Sequence, residues 1–267
     1  MAQYNALNKI IHKFFELRFI NLSTIVIAAS KYTEINTKKF CPSVIVSHID
    51  TSFEKKINQE LKKDLNINNK PITLLYVGAV IKRKGIEYLM KMALYLKNKN
   101  YSFKLVIAGE CSDSKYLKKC FKIIDRYSLH NHLEFMGRIS NTELEQLYIK
   151  SSIFVFPSLH EGYGRVIIEA MSYSMPVIGF NNSAMPYTIN EGVNGFLVKN
   201  KDSNGFNNQV ELLMNSSDLY KYLSKNAFNT YLEAHSERDF ENEVSAFIDE
   251  LILYSENKKM FQSISWK

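Results

Sequence analysis

Two glutamates, Glu161 and Glu169, stand eight positions apart around the turn Gly162-Tyr163-Gly164, just after the apolar run Ile153 to Phe156. A strand that ends in such a turn and enters an amphipathic helix leaves backbone N–H groups pointing beyond the sheet. The chemistry this favours is the seating of a phosphate. A turn cap at Glu161 and a surface helix position at Glu169 would produce the same spacing with no ligand, so the neighbouring segments decide.

Those segments alternate. Apolar runs predict strands at Thr73–Val77, Phe103–Ala108, Leu133–Met136, Ile153–Phe156 and Pro176–Gly179, with a short strand near Phe196. Between them, helical periodicity covers Ile86–Leu96, Lys115–Tyr127, Asn141–Lys150 and Arg165–Ser172. Continuous apolar strands alternating with helices predict an α/β fold, a Rossmann-like, doubly wound parallel sheet covered on both faces. In such sheets the ligand crevice lies beyond the carboxyl ends of the strands. All ten glycines fall between Gly78 and Gly205. The turns at Gly78, Gly109-Glu110, Gly137-Arg138, Glu161 to Gly164 and Gly179 to Ser183 should therefore share one rim.

Composition excludes several classes. With 267 residues, 46% apolar and 23% charged, the chain is neither disordered nor fibrous. Three cysteines without a C-x-x-C spacing support neither a disulfide framework nor a zinc site, and a reducing, cytoplasmic setting is expected. No stretch of about 18 apolar residues exists and no signal-like start is evident, so any membrane contact is expected to be peripheral, at the inner face. The net charge of +7 suits nucleic acid, anionic lipid or a polyanionic small molecule. Lysines scattered as in Leu61-Lys62-Lys63-Asp64 and Lys118-Lys119-Cys120 read as solvated helix faces rather than a nucleic-acid platform. No nucleic-acid partner is expected.

Four ordered blocks narrow the reading: Tyr76-Val77-Gly78 with Lys84-Gly85; Ile107-Ala108-Gly109-Glu110; Phe135-Met136-Gly137-Arg138; and Phe156-Pro157-Ser158 followed by Glu161 to Met171. A weaker fifth runs from Pro176-Val177-Ile178 to Asn194-Gly195-Phe196. Over about residues 20 to 235 this order resembles the family 4, group 1 glycosyltransferases, retaining sugar transferases of the GT-B fold. The resemblance implies that Glu161 contacts hydroxyls of a donor sugar and Glu169 the nucleotide ribose. A carboxylate can accept from two vicinal hydroxyls, at about 1.5–3 kcal/mol per charge-assisted bond. It implies that Lys84, which would bind phosphate, and Glu161 are the catalytic residues, with Gly78 and the Gly162-Tyr163-Gly164 backbone close to the diphosphate. Gly137, Arg138 and Ile139 would border the nucleobase. The implied co-substrate is a nucleoside-diphosphate sugar, the implied acceptor a glycan or lipid-linked chain, and no metal or other cofactor is expected. Composition rich in Lys, Asn, Ile and Tyr matches bacterial surface-polysaccharide and lipopolysaccharide gene clusters.

The chain also departs from the family. Ala79 stands where an arginine usually follows the glycine, leaving Lys82 or Arg83 to supply that charge. Ser183-Ala184 replaces a Gly-Gly pair, and Tyr187 replaces a glutamate. His160 and Glu110 fit turn formation as well as ligand contact.

The ends read differently from the middle. Residues 1–48, with a helical stretch at Ile10–Phe19, strands at Thr24–Ala28 and Val44–Val46 and a polar helix between them, resemble a remnant of an N-terminal acceptor domain. Residues 49–71 read as a linker, 72–238 as the donor-binding domain and 239–267 as a C-terminal helix that returns to the first domain. Two readings follow: a donor half that works with a separate acceptor polypeptide or comes from a truncated gene, or a non-catalytic nucleotide-sugar-binding or scaffold subunit.

Overall fold

The computed structural model describes residues 20–23, 25–49, 71–234 and 236–264. The helix expected at Ile10–Phe19 and most of the expected linker lie outside these residues. The chain divides into two compact units, Met1–Lys55 with Ala234–Lys267, and Lys56–Glu233.

In the first unit, β1 (Ile25–Ala28) leads through α1 (Lys31–Phe40) to β2 (Ile45–His48), and the two strands pair in parallel with Ile25 opposite Ile45. Ser30 caps α1 by accepting a 3.1 Å hydrogen bond from the Thr33 amide, satisfying one of the donors a helix start leaves open. Ala28, Cys41, Val44 and Val46 close a small core, with Ile20 and Val26 packed on it.

The larger unit runs β3 (Ile72–Val77), a 3-10 turn at Lys82–Lys84, α2 (Ile86–Asn98), β4 (Phe103–Ala108), α3 (Ser114–Arg126), β5 (Leu133–Gly137) and α4 (Asn141–Lys150). It continues with β6 (Ile153–Phe156), α5 (Arg165–Ser172), β7 (Val177–Asn181), a 3-10 turn at Met185–Tyr187, β8 (Gly195–Lys199), α6 (Ser203–Asn215) and α7 (Ser217–Glu233). The strands form one six-stranded sheet in the order β5-β4-β3-β6-β7-β8, parallel throughout. The expected α/β parallel architecture is therefore the observed one. Leu74, Leu75, Phe154 and Phe156 are fully buried, as strands covered on both faces require. The last helix, α8 (Glu237–Ile264), belongs to the first unit.

Polar ties fix the helices on the sheet. Glu211 of α6 accepts from Lys99 at 2.7 Å, from Tyr101 at 2.9 Å and from the Tyr95 hydroxyl, joining α6 to the end of α2. Hydrogen bonding by Lys99, then by Tyr95 and Tyr101, lowers the Glu211 pKa from 4.5 to about 2. A carboxyl whose folded pKa lies below its unfolded value stabilises the fold above the unfolded pKa, and the contribution fades as pH falls through the folded one. Glu211→Gln is thus expected to lower Tm at neutral pH and to match wild type near pH about 2, read by circular dichroism melts across that window.

Candidate active site

β3 and β6 are neighbours at the point where strand order reverses, the place at which open α/β sheets bind ligands. The loops that leave their carboxyl ends are stitched together. The Leu159 amide donates to the Arg83 carbonyl at 2.8 Å, and the Arg83 guanidinium donates to the carbonyl of His160. Gly85 permits this approach: its φ is +73°, and a Cβ there would lie 1.9 Å from the Pro157 carbonyl oxygen.

That closeness sets a cation against a carboxylate. The Lys84 ammonium pairs with Glu161 Oε2, and both side chains are largely buried, 14% and 15% exposed. Lys84 Nζ also sits 5.2 Å from the centroid of the Phe156 ring, whose face favours a cation. The Ser158 hydroxyl reaches Glu161 Oε2 at 3.4 Å and the His160 carbonyl at 3.2 Å. From the β7 side, Asn182 Nδ2 donates to the Ser158 carbonyl at 2.9 Å, and the Ala184 amide donates to the Glu161 carbonyl at 3.1 Å. Ser183 Oγ and His160 Nδ1 are hydrogen bonded at 2.7 Å. The pair is thus fixed from three strand ends, and Lys84 is an oriented, partly desolvated cation rather than a solvated helix-start lysine.

Gly164 (φ +89°) turns the chain into α5, ahead of Arg165. Gly162 differs from it: no heavy atom lies within 4 Å of where its Cβ would be, and its backbone lies outside the positive-φ region. Nothing in the fold requires glycine at that position. Tyr163 lies between them, partly buried. Glu169 accepts a 3.2 Å hydrogen bond from the hydroxyl of Tyr148 on α4. Tyr148 is buried and stacked on Tyr173 at 5.1 Å, and burial, reinforced by the Glu169 charge, raises its phenol well above the ordinary pKa. It therefore remains a donor that aims the carboxylate.

The remaining candidates share the rim. Gly78 follows β3 and donates to the Ala108 carbonyl at 2.9 Å, while the Gly109 amide donates to the Gly137 carbonyl at 2.8 Å. Gly137 ends β5, two strands from β3, with Arg138 and Ile139 in the loop that follows, and no hydrogen bond or ion pair among the described residues joins the three to Lys84 or Glu161. Arg83, not Lys82, is the additional cation fastened beside Glu161, which bears on the charge that Ala79 lacks. Sequence reading missed Tyr148, Ser158 and Asn182. Ser158 lies in the fourth sequence block and Asn182 in the Gly179 to Ser183 turn, but their bonds, like that of Tyr148, are tertiary contacts that carry no local signal. Among the described residues no group of three or more His, Cys, Asp or Glu side chains is placed to hold a metal ion.

A family model described as "Glycosyl transferases group 1" matches residues 57–230. The chain belongs to the group 1 glycosyl transferases. Relatives in this family include an uncharacterized glycosyltransferase of Methanocaldococcus jannaschii, 29% identical over 202 residues covering 73% of this chain and 55% of that one. The capsular polysaccharide biosynthesis glycosyltransferase CapM of Staphylococcus aureus is 25% identical over 203 residues, 76% of this chain and 52% of that protein. This group 1 chain thus spans about half the length of the curated relatives it matches. Among solved structures, Anabaena HepE in complex with UDP and glucose superposes with a TM-score of 0.76 at 19% identity, over 88% of this chain and 66% of that one. Sucrose-phosphate synthase from Thermosynechococcus elongatus gives 0.77 at 21%, over 90% and 61%. These likenesses establish the fold, an α/β unit of the GT-B type.

Proposed function

We propose that the larger unit is the donor-binding half of a retaining glycosyltransferase that takes a nucleoside-diphosphate sugar and transfers its sugar to a glycan or lipid-linked acceptor in surface polysaccharide synthesis. The observation that carries this is the Lys84–Glu161 pair at the strand-order reversal, on loops held by Arg83, Ser158 and Asn182. A diphosphate arriving at the rim attracts the Lys84 ammonium, and Glu161 is then released to accept hydrogen bonds from sugar hydroxyls. As the donor bond breaks, negative charge grows on the departing diphosphate, and Lys84 with the N–H groups around Gly162 to Arg165 stabilises it. Glu169, aimed by Tyr148, holds the ribose, and the Gly137 to Ile139 turn borders the base. The counter-charge is supplied by Lys84 and Arg83, so donor binding is proposed to need no metal or other cofactor.

CapM and a Campylobacter jejuni N-acetylgalactosaminyltransferase, named for its undecaprenol-linked diphospho-sugar substrate, support the acceptor classes offered. Residues 1–48 and 239–267 are assigned to the acceptor side, completed by further polypeptide, and the enzyme is placed in the cytoplasm at the inner membrane face. Isothermal titration of the full chain with UDP- and GDP-sugars, in EDTA, tests donor binding. Saturable heat with one of them is expected, and none at millimolar ligand would overturn the proposal.

Two variants refine it. Gly162→Ala is expected to leave Tm unchanged, since its Cβ meets open space, and to weaken donor binding where the diphosphate approaches the backbone. Equal affinity would show that no ligand comes close there. Tyr148→Phe removes one hydrogen bond to Glu169, worth about 1 kcal/mol, so nucleotide affinity should fall about fivefold in the same titration.

A further inference from the structure

A second feature lies apart from the pair. The α3 segment Ser114 to Lys122 carries four lysines and no acidic residue. Lys115, Lys119, Lys122 and Arg126 are spaced four, three and four residues apart, which places them in one stripe along a helix. All four are exposed, and none pairs with a carboxylate among the described residues. Lys119 and Arg126 of the stripe line a cavity of about 350 Å³ between α2 and α3, a size suited to a small ligand. Met90 and Cys120, both buried, belong to its lining, with Leu94 and Ile123 beside them. Lys91 of α2, stacked over Tyr88 at 5.1 Å, adds a cation to the same lining, which holds a single carboxylate, Glu87.

An apolar trough beneath a cationic rim matches an amphipathic anion. A free phosphate would leave the trough unfilled. A nucleic acid would call for aromatic faces repeated along a basic track; the lining holds two tyrosines, Tyr116 and Tyr127, among the apolar Met90, Leu94, Cys120 and Ile123. We propose that this groove docks the larger unit on an anionic phospholipid surface, with lipid phosphates on the Lys115–Arg126 stripe and acyl-chain methylenes against the trough. The inference rests on α2 and α3 and is independent of donor binding.

Co-sedimentation of the full chain with phosphatidylcholine vesicles, with and without phosphatidylglycerol, tests it. Binding is expected only where phosphatidylglycerol is present and should weaken as salt rises. Each lysine near the surface is worth about a fivefold change in partition. The triple variant Lys115→Gln/Lys119→Gln/Lys122→Gln should therefore partition about a hundredfold less, with an unchanged circular dichroism spectrum and unchanged UDP- or GDP-sugar titration. Glycerol 3-phosphate, a headgroup fragment without chains, is expected not to displace the protein. Equal binding to neutral vesicles, no binding to either, or an unaltered triple variant would overturn the proposal. So would displacement by glycerol 3-phosphate, or tighter binding to poly(U) than to vesicles, which would reassign the face to free anions or RNA.

Discussion

Lys84→Ala is expected to slow release of nucleoside diphosphate from the donor sugar by about 10²–10³-fold, the usual loss when one preorganised stabiliser of transition-state charge is removed. The same change leaves Glu161, only 15% exposed, without its cation, at a cost to the fold of about 1–3 kcal/mol. The two effects separate in a double variant. Lys84→Met/Glu161→Gln removes both charges, so much of the lost Tm should return while turnover stays low. A single variant that keeps full turnover would remove Lys84 from the chemistry and leave it a structural partner of Glu161. Lys84→Arg would not substitute, because a planar fork differs from a compact ammonium in reach and shape.

Gly85→Ala should be among the most damaging single-atom additions in the larger unit. Its Cβ would meet the Pro157 carbonyl oxygen at 1.9 Å, a backbone atom that cannot rotate away, and its φ of +73° disfavours any side chain. Left-handed strain costs about 1–3 kcal/mol and forced overpacking about as much again, so a loss of about 3–5 kcal/mol is expected in urea unfolding. Whatever folded protein remains must open the Lys84 loop away from Pro157, and donor affinity should fall with it. Gly137→Ala is the matched control, since its φ is also positive at +65° but nothing lies within 4 Å of its Cβ. It should lose only the backbone strain.

The alternation of strands and helices was legible because strands buried on both faces leave uninterrupted apolar runs such as Leu74–Val77 and Ile153–Phe156. Strand order was not legible from periodicity. No local pattern says that β6 lies beside β3 rather than β5, yet the approach of Lys84 to Glu161 depends on that neighbour relation. The long C-terminal helix was legible because no glycine or proline interrupts the chain from Glu237 to Ile264. Tyr148 stayed hidden for another reason. Its value to Glu169 arises from burial against Tyr173, and an amphipathic helix presents many tyrosines of similar local appearance.

The β3–β6 seam also has a kinetic meaning. Lys84 and Glu161 are 77 residues apart in sequence, and the bond from the Ser152 amide to the Thr73 carbonyl, 2.8 Å, spans the same divide. Each half of the sheet, β3-β4-β5 and β6-β7-β8, is built from successive βα units with shorter closures, while the seam requires the longest loop to close. The ion pair can form only once both halves have docked. A nucleotide sugar that engages Lys84 and Glu169 together would span the seam, slow its opening, and appear in hydrogen exchange as added protection at Ser152 and its neighbours.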